Sequence, residues 1–103
     1  MKTFNVKNKN FLKKLPKSSG VYLFKDKNKL VIYVGRAASL KTRVSSYFRN
    51  SAVVPLYQRP IERLVNEVNT VSYIKTSNLL EAAVLENNLI KKYFGDSPPN
   101  LSL

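Results

Sequence analysis

The side chains able to do chemistry here are phenols, guanidinium groups and one unusually placed carboxylate. Tyr22 closes a Gly20-Val-Tyr22 run, and after ten intervening residues Tyr33 opens a Tyr33-Val-Gly35 run. Arg36 follows at once, and Arg43 and Tyr47 stand four apart. There is no histidine, which excludes the commonest general base and the commonest transition-metal ligand. There is no cysteine either, so no thiol nucleophile, thiolate metal site or disulfide, which fits a reducing, cytoplasmic setting. Any catalysis falls to Tyr, Lys, Glu, Asp or metal-bound water. Eighteen Lys and Arg against six Asp and Glu give a net charge of +12, the mark of a polyanion-binding protein. No apolar run approaches the ~20 residues that cross a bilayer, and nothing reads as a basic amphipathic membrane helix. The expected partner is therefore nucleic acid rather than a membrane.

The elements that must position these groups can be read from periodicity. Gly20–Phe24 and Leu30–Val34 are short runs rich in β-branched and aromatic residues around a polar break, Lys25-Asp-Lys-Asn-Lys29, and predict a β-hairpin. A turn centred on Lys27-Asn28 pairs Phe24 with Val31 and Tyr22 with Tyr33, which sets two phenols side by side on one face. Gly35 ends the second strand where the chain must turn or be approached closely. Ser39 then caps a helix whose Leu40, Val44 and Phe48 recur every four residues, with Arg43 and Tyr47 projecting together from its flank. Taken alone, this stretch also fits an amphipathic ββα unit whose tyrosines fill a core and whose cations are solvated.

Residues 1–15 read as an N-terminal extension with a short helical turn at Phe11–Leu15, stopped by Pro16; its lysines could touch phosphate, though solvation is the simpler reading of such a charge run. Residues 52–60 form a proline-punctuated connection. Ile61, Leu64, Val65 and Val68 make a structural helical stripe that leaves Glu62 and Glu67 off it. Thr70–Lys75 alternates with period two and predicts a third strand, with Val71, Tyr73 and Lys75 on one face. The last helix runs from about Asn78 to Tyr93, with Asn78 and Glu81 at capping-box spacing. Its apolar face carries Leu79, Ala82, Ala83, Ile90 and Tyr93; Glu81, Asn88, Lys91 and Lys92 lie opposite. Glu86 falls in the middle of the apolar face. A charge there is costly unless paired or metal-bound, so Glu86 is either ion-paired, lining an open groove, or part of a site.

The GVY…YVG pair, with Arg36-Ala-Ala-Ser-Leu40-Lys-Thr-Arg43-Val-Ser-Ser-Tyr47-Phe48 behind it, resembles the GIY-YIG nuclease signature in the form carried by the amino-terminal domain of UvrC. The resemblance resumes at Glu81–Lys92, where Glu86 takes the position of the family's metal-binding glutamate. Arg36 takes a position usually held by lysine, which keeps the charge and makes a better bidentate phosphate ligand but a poorer proton carrier. The segment Phe94-Gly-Asp-Ser-Pro-Pro-Asn100 departs most, although Asn100 matches the family's final asparagine. Nothing resembles the rest of UvrC, so the chain reads as a fragment or a small stand-alone relative.

The expectation is a single α+β domain over residues 1–103: three antiparallel strands flanked by helices, with an irregular tail at 94–103. The resemblance implies metal-dependent hydrolysis of a DNA phosphodiester, in UvrC the incision 3′ to a lesion in DNA handed over by UvrB. With only six acids and no tight carboxylate pair, one hydrated Mg²⁺ or Mn²⁺ on Glu86 is expected rather than two metals. Arg36 and Arg43 would stabilise charge on the phosphate. Tyr22 or Tyr33 would deprotonate or orient the attacking water, its pKa brought down by nearby positive charge. Tyr47 would hold a phosphate oxygen or the nucleophile. Candidate nucleic-acid contacts are Arg36, Lys41, Arg43, Asn88 and Asn100. The alternatives are a stand-alone nuclease of this fold outside excision repair, and a non-catalytic nucleic-acid-binding module.

Overall fold

In the computed structural model the described residues are 1–49 and 65–95. They form an antiparallel sheet between two helical layers. The strands are β1 (Lys2–Asn5), β2 (Gly20–Lys25), β3 (Val31–Ala37) and β4 (Thr70–Lys75), in the spatial order β1-β4-β2-β3. Helix α1 (Leu40–Arg49) follows β3, and α2 (Leu79–Phe94) follows β4.

The sheet has four strands, not three. β1 gives almost no periodic signal because it is four residues long and buries a single side chain deeply enough to matter. Phe4 packs on Phe11 and stacks on Tyr73 at a centroid distance of 6.1 Å, while Thr3 Oγ1 and Ser72 Oγ share a hydrogen bond of 2.8 Å. A short 3-10 helix, Lys9–Lys14, capped by Asn8, links β1 to β2.

β2 is buried from Gly20 to Phe24, and its two faces feed two cores. Tyr22 and Phe24 join Phe11, Leu40, Val44, Phe48, Val71 and Tyr73 on the α1 side. Val21 and Leu23 join Val34, Ala82 and Leu89 on the α2 side. The expected faces of β4 and α1 are borne out: Val71 and Tyr73 point into the first core, as do Leu40, Val44 and Phe48. Ser39 caps α1 through its Oγ, which accepts from Thr42 N–H at 3.3 Å. Two further N–H groups of the first turn donate to Ser18 O and Pro16 O.

The hairpin register differs from the expected one by two residues. Tyr22 pairs with Gly35 and Phe24 with Tyr33, whereas Lys25 pairs with Val31. One residue of the shift comes from the turn. Asp26 Oδ1 accepts from Asn28 N–H and Leu30 N–H, so the loop centres on Asn28, with Lys29 at φ 66°. The other comes from a β-bulge between the Phe24 and Lys25 pairings, which leaves Ile32 unpaired and turned, like Tyr33, toward the first core. Beyond the bulge the shift is even, so Tyr33 and the residues after it keep their expected faces, whereas Val31 and Ile32 exchange theirs: Val31 packs on the second core and Ile32 on the first.

Asn78 Oδ1 accepts from Glu81 N–H at 2.8 Å, as the capping spacing predicts. Leu79 and Tyr93, expected on the apolar face of α2, are exposed at its ends; Leu85 and Leu89 take up the packing with Ala82, Ile90 and Phe94. The helix is about 24 Å long and packs on the second core from Ala82 to Phe94. Of the expected 61–68 stripe, Val65–Glu67 form a 3-10 turn and Val68 is buried; residues 61–64 and the connection at 52–60 lie outside the described residues.

Candidate active site at the β3 edge

β3 is an edge strand, and the candidate residues gather around that edge from both faces of the sheet. Tyr33 and Gly35 face the α1 core, and Arg36 faces α2. Tyr22 comes from β2, Arg43 and Tyr47 from α1, and Glu86 from α2.

Gly35 makes the tyrosine arrangement possible. Tyr22 lies directly across from it, so the phenol ring rests over a residue without a side chain. A Cβ at Gly35 would sit 2.5 Å from Tyr22 Oη, 2.6 Å from its Cζ and 2.8 Å from Tyr33 Cε2. The three phenols therefore pack as a triangle: the Tyr22 ring is 6.0 Å from the rings of both Tyr33 and Tyr47. Phe24 supports it from below, edge-on to Tyr47 at 5.3 Å. Tyr22 Oη and Tyr47 Oη share a hydrogen bond of 2.9 Å. Sequence reasoning paired Tyr22 with Tyr33 and missed both this bond and the steric role of Gly35. The readable signal was an aromatic residue facing a glycine across a hairpin, which requires the correct register.

Tyr22 is only 2% exposed. Burial raises its pKa far above the ordinary phenol range; Tyr47 and then Tyr33 push the same way, and Arg43 opposes them only weakly. Tyr33 is half-buried, and burial first, then Tyr47, push it up to about 12, with the Glu86 carboxylate adding to the rise. The expected lowering by nearby cations is thus outweighed by desolvation. The folded chain holds the Tyr33 proton more tightly than the unfolded chain, whose phenols titrate near ~10. Its contribution to stability is complete below that pH and is lost as pH rises toward about 12. An alkaline titration followed at 295 nm should accordingly show a late phenolate phase that coincides with loss of near-UV circular dichroism and is absent from the Tyr22→Phe/Tyr33→Phe protein. Ionisation of every phenol near pH 10 with the fold intact would contradict this.

On the other side of the edge, Arg36 Nη1 donates to Glu86 Oε1 at 2.8 Å; the Glu86 side chain is 18% exposed and that of Arg36 51%. Glu86 is thus ion-paired, as one reading of its placement required, but to a surface arginine rather than a core one. Arg43 is exposed on α1. Lys41 is part-buried on the other flank of α1, its N–H bonded to Pro16 O. Asn88 is not brought to this cluster. It lies two residues beyond Glu86, about 200° around the helix, in a groove of about 540 Å³ with Ile74, Leu80 and Val84. Asn100 lies outside the described residues. Among the described residues no three His, Cys, Asp or Glu side chains gather into a metal cage; a hydrated Mg²⁺ needs only one or two protein carboxylates. No helix among them is long and apolar enough to cross a membrane.

A hairpin that presents a Gly-Val-Tyr run and a Tyr-Val-Gly run side by side, backed by an Arg/Tyr helix and a glutamate-bearing helix, is the arrangement of a GIY-YIG domain. The UvrC-like GIY-YIG domain family matches residues 18–96, and the chain belongs to it. It is 49% identical over 82 residues to UvrABC system protein C of Ruminiclostridium cellulolyticum, covering 80% of this chain and 13% of that protein. To the protein of the same name from Treponema denticola it is 50% identical over 78 residues, covering 76% and 11%. The chain thus spans a small fraction of these curated relatives. Among solved structures, the GIY-YIG N-terminal endonuclease domain of UvrC from Thermotoga maritima, bound to its catalytic magnesium, matches with a TM-score of 0.70 at 33% identity, over 88% of this chain and 94% of that one.

Proposed function

We propose that this chain is a divalent-metal-dependent DNA endonuclease domain that makes the incision 3′ to a lesion in nucleotide excision repair. The observation that carries the reading is the convergence on one sheet edge of three packed phenols, two arginines and a single part-buried carboxylate. Glu86 would hold one Mg²⁺ or Mn²⁺, consistent with a hard cation that keeps most of its water shell and takes one protein carboxylate. When bound, the ion supplies Lewis-acid stabilisation of charge on the phosphate oxygens.

The remaining work is assigned to the chain's own side chains. Tyr33, half-buried at the edge and carrying its own proton at neutral pH, orients the attacking water through a hydrogen bond, while the water's proton passes to solvent, which also protonates the leaving oxygen. Tyr22 is too deeply buried to reach that water and serves as a positioning residue: its hydroxyl fixes Tyr47, and its ring fixes Tyr33. Tyr47 presents its phenol to a phosphate oxygen. Arg43, exposed beside it, and Arg36, half-exposed across the edge, bind the phosphate and stabilise charge that develops as the P–O bond breaks.

The phosphate contacts offer no base readout, so the lone chain should bind DNA with little sequence preference and cut it slowly. A UvrB–DNA complex, or the remainder of a longer protein, would raise effective concentration and fix orientation at the scissile bond. The test is single-turnover nicking of a lesion-bearing duplex with and without Mg²⁺ and a damage-recognition partner. Mg²⁺-dependent nicking stimulated by the partner is expected. Rapid, site-selective cutting by the lone chain would instead favour a self-contained nuclease outside excision repair, and DNA binding without any cutting a non-catalytic module.

A further inference from the structure

The positive charge is unevenly distributed. Residues 1–25 carry seven lysines and no acid; the first acid is Asp26. Four of those lysines, Lys9, Lys13, Lys14 and Lys17, lie in or just after the 3-10 helix, and all four are exposed. The segment is not loose. Phe11 and Leu15 are buried in the aromatic core, and Phe11 meets Phe48 edge-on at 5.4 Å. Lys9 Nζ donates to Phe48 O at 3.4 Å, and at the other end Lys41 N–H and Leu40 N–H donate to Pro16 O and Ser18 O. The lysine segment therefore runs antiparallel along the whole of α1. The family match begins at residue 18, so this strip lies outside the part of the chain that the family describes.

Its flank is informative. At 100° per residue, Lys41 and Phe48 fall on one side of α1, Arg43 and Tyr47 on the other, and the exposed Thr42 and Ser46 between them. A helix is ~10–12 Å across, comparable to the ~12 Å width of the DNA major groove, which admits an α-helix. Two rows of phosphate partners on opposite flanks of one helix match the two backbones that wall such a groove.

On the reading that the substrate is duplex DNA, we propose that Lys9, Lys13, Lys14 and Lys17 form a second phosphate-binding strip, which takes the backbone of the strand opposite the one held at Arg43 and Tyr47. The strip contributes affinity for duplex without sequence information.

The experiment measures binding in a Glu86→Gln background, so that substrate is not consumed, by fluorescence anisotropy across a salt series. The probes are a ~25-base-pair duplex and its single strand, on the order of two helical turns long. Replacing all four lysines with glutamine should lower the duplex salt slope by about 3.6, at ~0.9 per lost phosphate contact, and change the single-strand slope by less than about one. The all-arginine version should restore the duplex slope. Arg43→Ala should weaken both probes. A duplex slope equal to that of the parent would overturn the strip and leave the nuclease reading intact. Equal losses on both probes would overturn the assignment to the second strand. A parent whose duplex binding is insensitive to salt would contradict the DNA reading itself.

Discussion

Replacing Glu86 with glutamine is expected to reduce Mg²⁺-dependent nicking by at least ~10³, about 4 kcal/mol of barrier. The substitution keeps the volume and shape of the side chain while removing its charge. Glu86 is the only carboxylate assigned to the ion, and among the described residues no cluster of three potential ligands exists to take its place. Arg36 would also lose its ion-pair partner. Because the Arg36 side chain is half-exposed, water can solvate it, and the pair contributes little to stability. The variant should therefore fold as the parent does, which circular dichroism and thermal melting would establish before rates are compared. Near-parental nicking by a folded Glu86→Gln protein would remove the ion from α2.

Gly35→Ala is expected to damage both fold and activity through one methyl group. The new Cβ would lie 2.5 Å from Tyr22 Oη and 2.6 Å from Tyr22 Cζ, closer than real Cβ atoms approach their neighbours. Relief is not cheap, because Tyr22 is buried and held by Phe24, Tyr33 and Tyr47. Overpacking of this kind costs ~1–3 kcal/mol, and for a domain of this size each kilocalorie lowers Tm by about 4–8 °C. The ring has to leave the Tyr47 hydroxyl and displace Tyr33, so nicking should fall by ~10² even where the protein remains folded, as expected when reacting groups move by an ångström. A melt within about 2 °C of the parent, less than ~1 kcal/mol on the same scale, would show that the tyrosine triangle is not packed over this glycine.

The contrast between what could and could not be read from the chain follows from the range of the interactions. Strong local periodicity exposed β2, β3, β4, α1 and α2, and the capping groups Ser39 and Asn78 fixed their starts. The chemistry was legible because it lies in residue type and spacing: a tyrosine on each hairpin strand, Arg43 with Tyr47 one helical turn apart, and a carboxylate on an apolar face. What escaped depends on distant partners or on small displacements. β1 is defined by pairing with residues about 70 positions away, Thr3 with Ser72 for example, and four residues carry no usable period. The hairpin register shifted because Asp26 organised a slightly longer turn and a bulge absorbed Ile32. The face of Tyr33 survived because the shift beyond the bulge was even, while Val31 and Ile32 changed sides. Asn88 stands apart from Glu86 because two residues along α2 turn it about 200°, onto the flank that lines the groove with Ile74, Leu80 and Val84. Burial also reversed the expected direction of the tyrosine pKa shifts, since sequence shows which cations are near but not how dry the phenols are.

On the proposed function a single divalent ion is held by Glu86 at the edge of β3. Mn²⁺ titration followed by electron paramagnetic resonance tests it without reliance on cleavage. The parent chain should bind one ion, the Glu86→Gln protein should lose that site, and the Tyr22→Phe/Tyr33→Phe protein should retain it. Stoichiometric Mn²⁺ binding that is indifferent to Glu86 would contradict the account.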